Sequence, residues 1–314
     1  SDQVVTGDLG WDQGMFSVIG AACGAGKAMG LDRQTMGHAL SLAIVPNLPL
    51  GVTRLGELSM WKGYAAACAT RAGIFAAELA REGMTGPAEA FDGPRGLWDQ
   101  AVGQPVALEQ LGGGHEPFRI TATSFKFFPS QIHTQAPISL ALELHTQVAA
   151  EDIAAIRIRS YRSAVRSAAT DPQKWDPQTR ETADHSIPFL VATAFQDGAV
   201  TPASFTTERI HSPALRQLMS KMTIEEDAAS TQAFPEELNC WLEITSRSGQ
   251  RFTAETAYPK GHRQNPLSDA ELEAKLQHLA ADALTEPQCR AVLAQLWSLE
   301  QAPNLRQLFD SLVG

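Results

Sequence analysis

The order of apolar and polar positions changes character twice along this chain. Between Gln13 and Leu48, apolar and small residues recur at helical spacing over Phe16 to Met29 and Asp32 to Val45, with a break at Gly30-Leu31. That pattern predicts an antiparallel helix pair, and its many alanines and glycines predict close packing. A third helix is expected from Trp61 to Glu82, ended by Gly83, and a short fourth from Pro87 to Phe91, before a loop at Gly93 to Gly96. Gly112-Gly113-Gly114 marks a joint. Beyond it Phe118 to Thr123 alternates as a strand does, Thr134 to Val148 reads as a helix, and Ile153 to Tyr161 alternates with Ile156 and Ile158 on one face. Helices follow over Ser186 to Gln196 and Pro213 to Lys221. Strands over Asn239 to Ser246 and Arg251 to Tyr258 form a hairpin with its turn at Ser248-Gly249. Three amphipathic helices close the chain: Ser268 to Asp282, Glu286 to Glu300, and Asn304 to Leu312 behind the capping pair Pro303-Asn304.

This order, helical then mixed then helical, predicts a mostly α fold: an all-helical domain with an inserted α+β domain. The expected boundaries are 1–116 for the first helical part, 117–264 for the insert and 265–314 for helices returning to the helical domain. A length of 314 residues, about twice an ordinary domain, agrees with two domains and makes a cleft between them the default site.

Composition narrows the partners. With 44% hydrophobic and 19% charged residues the chain has the makings of a sizeable core. A formal charge of −10 and the lack of any Lys/Arg run argue against nucleic acid or an anionic membrane as partner. A small anion needs only a local cluster of cations and stays compatible. Cys23, Cys68, Cys240 and Cys289 lie far apart, without metal-ligand spacing, and read as buried or unpaired thiols of a reducing compartment. No stretch reaches the roughly 18 apolar residues of a membrane span, and the start lacks a signal-peptide plan, so a cytoplasmic location is expected. Phosphate-cradling, dinucleotide, serine-elbow and zinc-protease motifs are missing, so neither cofactor nor metal is expected.

Four segments could carry chemistry. Thr182-Ala183-Asp184-His185-Ser186-Ile187-Pro188-Phe189 crowds an acid, an imidazole and a hydroxyl at the mouth of a helix. Asp184 or Ser186 can cap that helix and Pro188 suits its first turn, so capping and catalysis compete as explanations. Lys62 follows Trp61 at the start of an Ala-rich helix, poorly placed for the helix dipole; a stem resting on Trp61 is the plain alternative. Ser124 to His133 sets Lys126 among three phenylalanines and ends in an imidazole. Such a lysine is either desolvated, with a lowered pKa suited to proton transfer or carboxylate binding, or stacked on the rings. Tyr258 to Pro266, with Lys260, His262 and Arg263, is a cationic loop that reads equally as a solvent-facing linker.

Several strings then coincide in order along the chain. They are Leu58-Ser59-Met60-Trp61-Lys62-Gly63, Gly83-Met84-Thr85-Gly86-Pro87 with Phe91-Asp92-Gly93, Lys126 to His133, Asp171-Pro172 with Trp175, Arg180 to Ser186, and Tyr258-Pro259-Lys260-Gly261-His262 with Asn265-Pro266. Together they resemble the MmgE/PrpD family, which includes 2-methylcitrate dehydratase, cis-aconitate decarboxylase and iminodisuccinate epimerase. The resemblance implies a large helical domain with an α+β lid, a homodimer, and a cofactor-free site between the domains acting on small di- or tricarboxylates. It matches the family's site lysine with Lys62 and its lid lysine with Lys126. The dehydratase-like histidine falls on His133, and the decarboxylase-like place is held by Gln131. Asp184, His185 and His262 are carried with their motifs. Phe189 stands where tyrosine is usual.

The activity so implied is proton abstraction beside a carboxylate by His133 or by an Asp184-oriented His185. Lys62 and Lys126 would hold the carboxylates, and loss of water ranks ahead of epimerisation or decarboxylation. Family chains normally begin well upstream of this one, so a weakened enzyme or a non-catalytic carboxylate-binding remnant is the alternative expectation. On that expectation, supplying an upstream family segment should raise turnover of 2-methylcitrate; full activity without it would contradict the expectation.

Overall fold

The computed structural model describes residues 6–108 and 117–312; the Gly112 to Gly114 joint lies outside them. It is 54% helical with one small mixed sheet, so the mostly α class with a smaller α+β part holds. Contacts divide the chain into two compact units, Ser1–Phe118 with Thr170–Ala183, and Arg119–Ala169 with Asp184–Gly314. The stretch around Trp175 thus belongs with the first helices, and the helices after residue 265 are grouped with the second unit.

In the first unit, α1 (Gly14–Ala28), α2 (Arg33–Ile44) and α3 (Trp61–Arg81) pack on one another. Asp32 caps α2 by accepting from the Thr35 N–H at 2.8 Å, and Gly30 makes the preceding turn at φ 74°. Small residues fill the contacts: Val18, Ala22, Ala43 and Ala76 form one cluster, and Ala39, Ala77 and Ala80 another. At Gly73 a Cβ would stand 2.5 Å from the Val18 carbonyl oxygen and 2.8 Å from Ala21 Cβ, so glycine lets α1 and α3 touch. The helix expected at Pro87 to Phe91 is a run of turns, and α4 forms at Leu97–Ala101. The carbonyls of Ala90 and Phe91 accept from the Leu97 and Trp98 N–H groups at 2.8 and 3.1 Å, so the chain doubles back instead of coiling. Gly93 and Gly96 permit this, since a Cβ at either would meet backbone oxygen within 2.8 Å.

The remaining elements, in chain order, are α5 (Gln135–His145), β1 (Ile153–Ser160), α6 (Arg162–Ala168), α7 (Pro172–Trp175) and α8 (Arg180–Ala183). Then come α9 (Ile187–Asp197), α10 (Thr207–Ile210), α11 (Pro213–Met219), β2 (Met222–Glu226) and α12 (Ala228–Ala233). The hairpin β3 (Cys240–Ser246) and β4 (Arg251–Thr256) precedes α13 (Asp269–Ala280), α14 (Glu286–Trp297) and α15 (Arg306–Leu312). All but α7 and α8 belong to the second unit.

The sheet runs β2-β1-β3-β4, with β1 parallel to β2 and the other pairs antiparallel. Ile156 faces Ile244 and Ile158 faces Leu242, all fully buried, so the alternation read from β1 and β3 sets a single apolar face. Helix α5 covers β3 and β4, and α9 packs on α5 and α11. The run Ile187 to Phe195 is buried on every side, as a continuous apolar sequence requires.

Two strand expectations change. Phe118 to Thr123 forms a 3-10 turn at Arg119–Ala122, closed by the Thr123 N–H on the Ile120 carbonyl at 3.1 Å. With Phe118 63% and Ile120 78% exposed, its alternation has no buried face to define a strand. Conversely β2 was not expected. Only Met222 in it is buried, and an edge strand receives its order by pairing with β1 rather than from its own pattern. The cysteines are all free, but Cys23 is exposed despite its apolar helix. No helix among the described residues is long and apolar enough to cross a membrane. Replacing Gly73 by alanine should lower stability by roughly 1–3 kcal/mol through overpacking; a thermal melt matching the parent would refute this account of the α1–α3 contact.

Candidate active site

Lys62 is held in the first unit by contacts that begin at α1. The buried Asp12 accepts from the Gly14 N–H at 2.9 Å and pairs with Arg54 at 2.6 Å, and Arg54 in turn donates to the Lys62 carbonyl at 3.2 Å. The stretch before Lys62 is fastened to α7 and α8. Gly56 N–H donates to Asp171 at 3.1 Å, Leu58 N–H to Thr182 Oγ1 at 2.9 Å, and Thr179 Oγ1 to the Leu58 carbonyl at 3.1 Å. The half-buried Lys62 ammonium donates to the Glu181 carbonyl at 3.2 Å. Its role is thus at least to join the Leu58 to Gly63 stretch to α8.

In the second unit, the loop from Lys126 to His133 has little regular structure of its own, and one buried side chain satisfies its backbone. Gln135 accepts from the Phe128 N–H at 2.9 Å and donates to Ser130 Oγ at 2.9 Å, to the Phe128 carbonyl at 3.2 Å and to the Gln131 carbonyl at 3.3 Å. The Gln131 N–H donates to the Asp184 carbonyl at 3.0 Å, which brings the Asp184-His185 motif beside the loop. Upstream, the Phe125 N–H donates to the Gly261 carbonyl at 2.7 Å, so the Tyr258 to Asn265 loop is a structural neighbour rather than a free linker. Gly261 lies at φ 90°, with the Phe125 carbonyl where a Cβ would project.

His133 sits in a 3-10 turn over Ile132–Thr134, half-buried against Tyr161 and Phe234. Its Nδ1 and the Tyr161 hydroxyl are 2.7 Å apart, and Tyr161 stacks on Phe234 at 4.6 Å. Burial lowers the His133 pKa to about 4, and the charges of His185 and Lys126 push it the same way. Burial pushes the Tyr161 phenol well above its ordinary value, so it stays protonated. The imidazole is therefore neutral at physiological pH, with Nδ1 engaged and Nε2 not committed to Tyr161.

Beside it Asp184 pairs with His185 Nδ1, both side chains mostly buried. Ser186, not Asp184, caps α9, accepting from the Phe189 N–H at 3.0 Å. The rivalry between capping and chemistry in this motif is thus divided between two residues. Gln131 Oε1 is buried and accepts no hydrogen bond among the described residues.

Not every candidate sits as expected. Lys126 is exposed rather than enclosed by the phenylalanines around it, and its charge reaches His133. Phe189 is fully buried with its ring 6.2 Å from Phe205, and so acts on the site only through the packing of α9. His262 is buried and stacked on Tyr258 at 5.0 Å, accepting from the Gln264 N–H at 3.2 Å; it shapes its loop. Tyr161 and Gln135 were missed. Tyr161 follows a strand and Gln135 starts a helix, and neither carries a local signal that it reaches a residue far away in sequence or spans a loop. Among the described residues no three His, Cys, Asp or Glu side chains converge as metal ligands.

Residues 128–299 match the MmgE/PrpD C-terminal domain and residues 3–109 the MmgE/PrpD N-terminal domain. The chain belongs to the MmgE/PrpD family. It is similar to human cis-aconitate decarboxylase, 25% identical over 304 residues that cover 96% of this chain and 62% of the relative. It is also similar to 2-methylcitrate dehydratase of Cupriavidus necator, 26% identical over 308 residues that cover 94% of this chain and 62% of the relative, and to that of Escherichia coli K12, 26% identical over 268 residues, 81% and 54%. The chain thus spans less than two thirds of the length of these curated relatives.

In this MmgE/PrpD chain the neutral His133 has a consequence for stability. The unfolded histidine takes up a proton near 6.5 and the folded one near 4, so between these values the unfolded state binds more protons. Stability should be unaffected by this group above pH 6.5, and should fall by up to roughly 3 kcal/mol as pH drops from 6.5 to 4. Urea unfolding at pH 7.5 and 4.5 should show that component in the parent and not in His133→Gln; identical pH dependence in both would contradict the assignment.

Proposed function

We propose that this chain is a lyase of the 2-methylcitrate dehydratase type, acting on a small di- or tricarboxylate by removing a proton from the carbon beside a carboxylate. The observation that carries the reading is the neutral His133, engaged at Nδ1 by Tyr161 and acted on by the charge of Lys126. In the tautomer with Nδ1–H donated to Tyr161, Nε2 holds the lone pair that accepts the substrate proton. As the C–H bond breaks, charge moves onto the adjacent carboxylate, which Lys126 stabilises. The electron pair then closes a carbon–carbon double bond while the C–O bond breaks, and His185, oriented by Asp184, gives the departing hydroxyl the proton that makes it water.

A pKa of about 4, set first by burial, makes His133 a weak base before substrate binds. A substrate carboxylate near Lys126 offsets the charges that depress it, so the base strengthens when the substrate arrives. Dehydration is placed ahead of decarboxylation and epimerisation because the resemblance puts its histidine at His133 and leaves Gln131 in the decarboxylase-like place. Relatives bearing both printed names support the lyase class.

Proton NMR of the full chain with 2-methylcitrate, citrate and cis-aconitate should show dehydration. Lys126→Met should lose roughly a hundredfold or more in kcat/KM with an unchanged melt, and unchanged kcat/KM would remove its role. Tyr161→Phe should move the acid limb of the pH–rate profile more than it changes KM. Stabilisation by these acids without turnover would instead select a non-catalytic carboxylate-binding protein.

A further inference from the structure

The Tyr258 to Asn265 turn carries a cationic motif that the proposed reaction does not use. Its backbone grips the segment that bears Lys126. The Arg263 N–H donates to Ser124 Oγ at 3.3 Å, and the Gly261 carbonyl accepts from the Phe125 N–H at 2.7 Å. The carbonyl of Lys126, next in line, is held by the Lys275 ammonium of α13, and α13 is joined to the turn where Glu271 pairs with Lys260 at 2.9 Å. Three consecutive residues are thus fastened by the turn and the helix after it, whereas the hold of Gln135 begins at Phe128. The Phe125 and Lys126 side chains are exposed, so these backbone contacts, and not burial, place them.

The turn owes its shape to His262. This side chain is 6% exposed and stacked on Tyr258, and its Nδ1 accepts from the Gln264 N–H at 3.2 Å, which requires a ring without a proton on Nδ1. Burial lowers its pKa and so favours that state. The backbone closes around it: the His262 N–H donates to the Pro259 carbonyl at 2.9 Å, the Asn265 N–H to the His262 carbonyl at 2.8 Å, and the Gly261 N–H to the Asn265 carbonyl at 2.8 Å. Gly261 and Arg263, whose backbone groups hold Phe125 and Ser124, are the two chain neighbours of His262. One buried side chain therefore governs both of these fastenings.

We propose that His262 is a positioning residue for Lys126: by keeping the Tyr258 to Asn265 turn in shape it fastens Ser124 and Phe125, and so fixes where the Lys126 ammonium stands. The inference rests on the dehydratase-type reading for what Lys126 does there, but the fastening itself is measured without turnover. Amide hydrogen exchange at Phe125 and citrate affinity by calorimetry are compared in the full-chain parent and three variants, each checked by thermal melt. His262→Phe keeps a ring against Tyr258 and removes the acceptor, His262→Asn keeps an acceptor at the δ position, and Ser124→Ala removes one fastening alone. Phe125 exchange should be about tenfold faster in His262→Phe, the loss of roughly one hydrogen bond's hold, also faster in Ser124→Ala, and close to the parent's in His262→Asn. Citrate affinity should fall about tenfold in His262→Phe, and should fall no further when that change is added to Lys126→Met, because the effect passes through Lys126. Parental exchange in the folded His262→Phe and Ser124→Ala variants, or the same loss of affinity with and without Lys126, overturns the proposal. Faster exchange in a protein whose parent neither binds nor converts citrate or 2-methylcitrate would leave the fastening standing and remove the dehydratase reading instead.

Discussion

The candidate site depends on one buried amide. Between Lys126 and His133 the chain makes no sheet and little helix, yet its backbone groups are taken out of water and must find partners. Gln135 supplies them, reaching Phe128, Ser130 and Gln131 from the first turn of α5. A side chain with two donors and an acceptor at a fixed spacing suits this task, whereas an apolar residue of the same volume would leave several buried groups unpaired. The loop is thus pinned to a helix that the sheet itself holds down. Lys126 and His133 inherit their separation from that attachment.

The electrostatics follow from where the loop is pinned. His133 lands against Tyr161 and Phe234, an apolar wall that disfavours a second proton, and two nearby cations add to the effect. Tyr161 reaches it from the end of β1, so the strand whose isoleucines fill the core also fixes the tautomeric partner of the imidazole. Lys126 escapes the same burial and is exposed. Packing and protonation are here one arrangement: the segment that continues the core strand also helps to keep His133 neutral.

Much of the fold was legible because its signals are local. Asp32 before α2 and Gly249 in the hairpin each act within a few residues, and each sits where the pattern places its turn. The failures have a common cause. Phe118 to Thr123 alternates without a buried face, and β2 has pairing without alternation, so in both cases a neighbour decides. Pro87 to Phe91 lost its helix to glycines that let the chain fold back on its own carbonyls.

For function, candidate residues were readable from the chain: Lys62, Lys126, His133 and the Asp184-His185 pair stand out because cations and imidazoles are seldom needed for packing. Periodicity likewise determined the order helical, mixed, helical, since amphipathic spacing is a property of adjacent residues. Only the tertiary structure decided that Ser186 caps while Asp184 holds His185, that Phe189 is core, that Lys126 is exposed, and that Tyr161 and Lys275 stand by the loop. The reason is physical: burial, hydrogen-bond partners and local charge are set by residues tens to more than a hundred positions away, and no pattern of neighbours along the chain encodes them.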